Sequence, residues 1–148
     1  MAYENPTPVS IAVARVRRLD GTLALLGIIR VRNPADGLAL PGGFVDKLET
    51  FEVAVAREFH EEVGIFTQPD DWRLMCSKMS AKNQVLVFCE FQYEVPEERL
   101  AQFVPNDEAK AVVLLTAGCE LCFPNHQLVA RAYLDMTFQA PYPLYQET

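Results

Sequence analysis

The sequence predicts an α+β (α/β) layered domain, a mixed β-sheet sandwiched between helices. Three observations predict it. Short β-branched or apolar runs recur along the chain, two segments have helical spacing with recognisable ends, and turn residues separate these segments. The 148 residues leave room for a single domain, taken as 1–148, and no repeat or low-complexity segment interrupts it.

Val9 to Leu19 alternates around Val9, Ile11, Val13 and Val16, and Asp20-Gly21 then supplies a hairpin turn. Thr22 to Val31 is apolar nearly throughout and is expected to be a central strand. Asn33 to Gly37 has loop composition. Leu38-Ala39-Leu40 makes a short strand that runs into a sharp turn at Pro41-Gly42-Gly43. Thr50 suits the N-cap of a helix, Glu52 lies in its first turn, and the helix should reach about Val63. Gly64 falls where a left-handed residue ends a helix, and Ile65 supplies the apolar contact that follows.

Trp72 to Ser80 and Gln84 to Val95 read as a hairpin about Lys82-Asn83. Pro96 to Asp107 is irregular or a short helix led by Glu97, Glu98 and Arg99. Ala111 to Leu115 is a short buried strand. Asn125 is expected to cap a last helix, His126 to about Asp135, with Leu128, Val129, Ala132 and Tyr133 facing inward. The tail at Pro141-Tyr142-Pro143 is expected to be extended.

Half of the residues are apolar and 22% are charged, so a core can form without disulfides or a structural metal. Thirteen basic residues against 20 acidic ones give a net charge of −7. Such a chain lacks the basic stripe that wrapping nucleic acid requires. A nucleotide ligand is still allowed, because one cation and one or two arginines attract phosphate locally. No window approaches the ~18 apolar residues of a membrane span. The N-terminus has neither a basic flank nor an apolar h-region. A cytoplasmic protein without a membrane partner is expected.

Cys119 and Cys122 form a Cys-x-x-Cys, which invites zinc or redox chemistry. A zinc site needs two more ligands, and Cys76 and Cys89 supply no second close pair. On the expected hairpin these two fall opposite each other without an evident role. All four are read as structural thiols.

The helix ending at Val63 carries the chemistry. At about 100° per residue, Glu58, Glu61 and Glu62 share one arc of about 100°. The apolar stripe Phe51, Val55, Phe59 and Val63 overlaps that arc, so Glu62 projects at the core-facing edge. A solvated acidic face would not be placed there. Like charges at i,i+4 repel by roughly a few tenths of a kcal/mol even when exposed, and partial burial makes them costlier. Arg57 offsets only part of this. A hard divalent cation removes the problem, since carboxylate clusters select Mg²⁺ or Mn²⁺.

Gly43, five residues, Glu49, seven residues and then Arg57-Glu58-Phe59-His60-Glu61-Glu62-Val63-Gly64-Ile65 resembles the Nudix box. Phe59 stands where the family usually has a smaller aliphatic residue. The box covers 23 of 148 residues, and the strand pattern before it and the strand-then-helix ending after it are also similar to the Nudix fold.

The resemblance implies a pyrophosphohydrolase acting on a nucleoside diphosphate linked to another group, a small-molecule nucleotide substrate. It implies Mg²⁺ (or Mn²⁺) held mainly by Glu58 and Glu62, with Glu61 a further ligand, direct or through water. The Gly42 carbonyl would complete the inner shell. Glu49 and Arg57 would orient the loop and helix, Arg57 being equally readable as a plain salt-bridge partner. The general base is either a box glutamate or an acid ahead of the last strand. There Glu108 is the candidate, with a simple surface acid as the alternative.

Arg30 and Arg32 end a strand beside the box and are candidates to clamp a phosphate, although strand ends carry arginines commonly. Phe44 is a candidate to stack on a base or else packs in the core. His126 either meets a ligand or is a satisfied histidine at a helix start. His60, across the wheel, is expected to be exposed.

A catalytically silent nucleotide-sensing domain is the competing reading, but such a domain would be expected to lose box glutamates. A prenyl-diphosphate isomerase would want a catalytic cysteine and glutamate in dedicated segments, and no cysteine adjoins the box. The substrate is not readable: the window about 15 to 18 residues past the box, Ser80-Ala81-Lys82-Asn83, has neither the proline nor the tyrosine that marks two subclasses. Many Nudix members dimerise, so a homodimer is compatible with the sequence.

Overall fold

The computed structural model describes residues 4–135, so the expected tail at Pro141-Tyr142-Pro143 lies outside them. The strands are β1 (Thr7–Arg17), β2 (Leu23–Arg30), β3 (Leu38–Ala39), β4 (Gly42–Phe44), β5 (Trp72–Met79), β6 (Gln84–Pro96) and β7 (Ala109–Leu115). The helices are α1 (Phe51–Val63) and α2 (Pro124–Leu134). All seven strands form one mixed sheet in the order β3-β2-β1-β6-β5, with β4 added to β1 and β7 to β2.

β1 is the axis of the sheet. It runs parallel to β6 along one edge, and its other edge is shared: Val9 to Ile11 pair with β4, and Arg15 to Arg17 pair with β2. β2 and β4 therefore leave the same edge at different levels. α1 packs where they diverge.

β1 alternates between two cores. Ala12, Ala14 and Val16 face α1 and meet Val55, Phe59 and Val63, while Ile11 and Val13 face α2 and meet Val129 and Ala130. The sheet is thus covered by one helix on each face, the α+β sandwich expected from the sequence. Among the described residues no helix is long and apolar enough to cross a membrane.

Phe59 is fully buried, edge-on to Trp72 at 5.1 Å and stacked on Phe91 at 6.3 Å. Trp72 is fixed by its indole N–H, which donates to Thr67 Oγ1 at 2.8 Å. This cluster fills the space that a phenylalanine needs in place of a smaller aliphatic residue. Phe59→Ala is expected to cost about 3–5 kcal/mol in urea unfolding, through lost burial and the cavity left behind.

Four expectations are corrected. Pro41-Gly42-Gly43 is not wholly a turn: Gly42 to Phe44 is a strand, because the missing side chains let it lie directly on β1 and α1. Asn125 is not the N-cap of α2. Pro124 already occupies the first helical position, which its fixed φ suits, so Phe123 is the cap and Asn125 Nδ2 donates to the Met79 carbonyl. The inward stripe of α2 is His126, Val129, Ala130 and Tyr133, and Leu128 is 55% exposed. Finally, Cys89 lies opposite Leu74, and Cys76 opposite Phe88, because a bulge between Leu74 and Cys76 shifts the register.

Candidate active site

Local signals fix α1. Thr50 Oγ1 accepts from the Val53 amide at 3.1 Å, and Gly64 ends the helix in the left-handed conformation (φ 83°). Ser10 Oγ of β1 donates to the Phe51 carbonyl at 2.8 Å, tying the first turn to the sheet. Glu58 and Glu62, one turn apart, are then carried to the β4 side, with relative exposures of only 8% and 3%.

The double glycine lies against both carboxylates. The Gly42 amide donates to Glu62 Oε1 at 2.7 Å. Gly43 lies so close to Glu58 that a Cβ there would stand 2.5 Å from its carboxylate. Arg57 Nη1 donates to Glu58 Oε1 at 2.8 Å and, with its other nitrogens, forks both oxygens of Glu49 at 2.7 and 2.9 Å. Arg57 Nη2 also donates to the Phe44 carbonyl, so one guanidinium joins α1 to the loop ahead of it. That geometry suits the orienting role expected of Glu49 and Arg57.

A third carboxylate arrives from the loop before β7. One oxygen each of Glu58, Glu62 and Glu108 lies within 4.8 Å of the others. Glu108 is held by its main chain, its carbonyl accepting from the Val31 amide at 3.0 Å and its amide donating to Asn106 Oδ1 at 2.9 Å. Glu61 stands apart. It is exposed and, among the described residues, bonds to Arg57 at 3.4 Å, so a role for it at the ion would run through water.

Burial and mutual repulsion act on this triangle. Desolvation pushes the Glu62 carboxyl up to about 9, opposed in part by the Gly42 amide, and the charges of Glu58 and Glu108 push the same way. Burial also raises Glu58, with Arg57 opposing. The donor set fits a hard divalent cation: three carboxylates converge, and each of Glu58 and Glu62 is also held by a protein donor at Oε1.

The family model described as NUDIX domain matches residues 6–133. The chain belongs to the Nudix family. Its fold and box are those of a Nudix-type hydrolase. A MutT/nudix family protein from Enterococcus faecalis is 25% identical, with a TM-score of 0.62 over 77% of this chain and 45% of that one. The NUDIX domain of Shewanella oneidensis NrtR, solved with ADP ribose, is 20% identical (TM-score 0.68; 90% of each chain). A bifunctional NMN adenylyltransferase/ADP ribose pyrophosphatase from Francisella tularensis, solved with AMP and a Mn ion, is 22% identical (TM-score 0.65; 91% of this chain and 43% of that one). This chain therefore spans less than half the length of the Enterococcus and Francisella proteins. No curated protein matches it.

The remaining candidates fall around the Nudix box unequally. Arg30, at the end of β2, has its guanidinium 4.9 Å from the Phe123 ring centroid and donates to the Asn33 carbonyl at 3.0 Å. Its Nε is buried without a hydrogen-bond partner among the described residues, and its charge is felt at Glu62. Arg32 is exposed, 3.9 Å from Glu108. Phe44 is 56% exposed beside Gly43, which removes the core-packing reading.

His126 is the satisfied histidine of its two readings. It is buried between Phe88 and Phe123, its Nδ1 accepts from the Leu40 amide at 3.2 Å, and burial pushes its pKa down to about 3. His60 is exposed, edge-on to Phe66. All four cysteines are free thiols.

Asn106 was missed by the sequence reading. Its signal is an asparagine just ahead of the acid that enters the site, a residue type that closes turns by bonding amides two or three positions on.

Proposed function

We propose that this Nudix protein hydrolyses the diphosphate linkage of a nucleoside diphosphate derivative in an Mg²⁺- or Mn²⁺-dependent reaction. Glu58 and Glu62, with the Gly42 carbonyl, would hold the ion, and Glu108 is a third charge beside it. Glu61 would contribute through water. The observation that carries this reading is the carboxylate triangle itself. Two of its members are buried, and of those two only Glu58 is paired with a protein cation among the described residues, so holding all three as anions is costly without a divalent counter-charge.

When bound, the ion neutralises charge on the diphosphate. The chain's own residues do the rest. Glu108 takes the proton of the attacking water as its oxygen bonds to phosphorus, the bridging P–O bond breaks, and a phosphate or phosphate ester leaves. Arg30, stacked on Phe123 with its Nε unpartnered among the described residues, binds a substrate phosphate, and exposed Arg32 adds charge at the rim. The Phe44 ring offers a face for a base. Arg57 and Glu49 hold the loop and α1 in register, so that positioning carries much of the rate. The free thiols fit a reducing compartment, the cytoplasm.

ADP-ribose is the first substrate to try, since two similar proteins carry it in their descriptions. NADH and nucleoside triphosphates follow. The expected result is release of AMP or phosphate from at least one of them with Mg²⁺ and none with EDTA. Tight nucleotide binding without turnover of any would replace the hydrolase reading with that of a silent binding domain.

A further inference from the structure

Asn106 bonds to both halves of the site. Its Nδ2 donates to the Glu62 carbonyl at 3.0 Å, while its Oδ1 accepts from the amides of Glu108 at 2.9 Å and Ala109 at 3.0 Å. Its own amide donates to the Ala109 carbonyl at 3.0 Å, closing the turn that carries Glu108. An asparagine amide offers a donor and an acceptor at once, which neither aspartate nor alanine can reproduce.

We propose that Asn106 is a positioning residue that sets Glu108 against the Glu58–Glu62 pair by tying the Glu108 turn to the end of α1. The proposal rests on the reading of those three carboxylates as the ion site. Glu108 is half-buried on a loop and faces two nearby acids, one oxygen of each of the three carboxylates lying within 4.8 Å of the others. The Val31 contact holds its carbonyl, while Asn106 ties its backbone by hydrogen bonds to the helix bearing Glu58 and Glu62. With that tie cut, the repulsion turns Glu108 outward, and the ion must order the loop as it binds.

The test is Mn²⁺ affinity, by calorimetry or by paramagnetic titration, in the wild type, Asn106→Ala, Glu108→Gln and the double variant. Outer groups that hold metal-site residues typically contribute about 10–100-fold in affinity, and Asn106→Ala is expected to lose that much. In the Glu108→Gln background the same change should cost less than about twofold, because a residue acting only through Glu108 has nothing left to position. Asn106→Asp keeps the turn closed but drops the donor to Glu62. It should weaken the wild type and be silent beside Glu108→Gln, which keeps the test open if the alanine variant does not fold.

Equal losses in both backgrounds, or no loss in either, would overturn the positioning role while leaving the ion site standing. A wild type that binds no Mn²⁺ would remove both.

Discussion

Glu62→Gln is expected to lower turnover by at least about 100-fold, the upper end of what outer metal-site groups contribute, because it removes a group at the ion itself. The fold should survive, since a glutamine oxygen can still accept from the Gly42 amide. In the metal-free protein the substitution should even stabilise.

Burial favours the neutral form of Glu62, whose pKa in the native state is about 9 against 4.5 for the free group. Between those values the native state holds a proton that the unfolded chain has released. Stability of the metal-free wild type therefore falls as pH rises through that window and levels off above about 9. Glu58, shifted in the same direction, adds to the slope. Thermal unfolding in EDTA should show this decline, and Glu62→Gln should flatten it. Mg²⁺ should restore the wild type more at higher pH and do little for the variant. A metal-free wild type whose melting temperature rises across the window would contradict the burial of an unpaired carboxyl.

The two box glycines should fail in different ways when changed to alanine. A Cβ on Gly42 would lie 2.9 Å from Ile11 Cα and closer still to the Ser10 carbonyl, both backbone atoms of β1. Neither can step aside, so β4 must lift from the sheet and carry the amide away from Glu62. Overpacking of this kind costs about 1–3 kcal/mol, and Gly42→Ala is expected to lose stability and activity together.

On Gly43 the obstructing atoms are the carboxylate end of Glu58, a flexible side chain. Gly43→Ala should therefore fold nearly as well as the wild type while Glu58 is pushed out of the triangle. Activity and metal affinity should fall by an amount comparable to Glu58→Gln. Urea unfolding beside Mn²⁺ titration separates the two outcomes. A Gly43→Ala protein with normal metal affinity would mean that Glu58 is not held where it is needed.

What could be read in advance was what is decided locally. Thr50 and Gly64 bound α1 through contacts within one turn, and the wheel alone put Glu58 and Glu62 at the edge of its apolar stripe. Features set by long-range contact were harder. Gly42 to Phe44 looks like a turn in one dimension, because nothing in a double glycine says that it lies flat on another strand. The stripe of α2 was displaced because a buried histidine, satisfied by the Leu40 amide, belongs to it in place of Leu128.

The wheel grouped Glu61 with its neighbours, yet that residue turns to Arg57 and solvent. It is Glu108, 46 residues after Glu62, that completes the triangle. Its candidacy came from its place before a strand. The asparagine that ties it to α1 gave no long-range signal.

The central claim is that Glu58 and Glu62, with Glu108 beside them, form the site of a divalent cation. Calorimetric titration of the metal-free protein with Mn²⁺ near pH 7, repeated in two buffers of different ionisation heat, tests it most directly. Because Glu62 must give up its proton to the solvent, binding should release close to one proton per ion, and Glu58→Gln and Glu62→Gln should each bind far more weakly. Undiminished Mn²⁺ binding in both variants, or none in the wild type, would contradict the account.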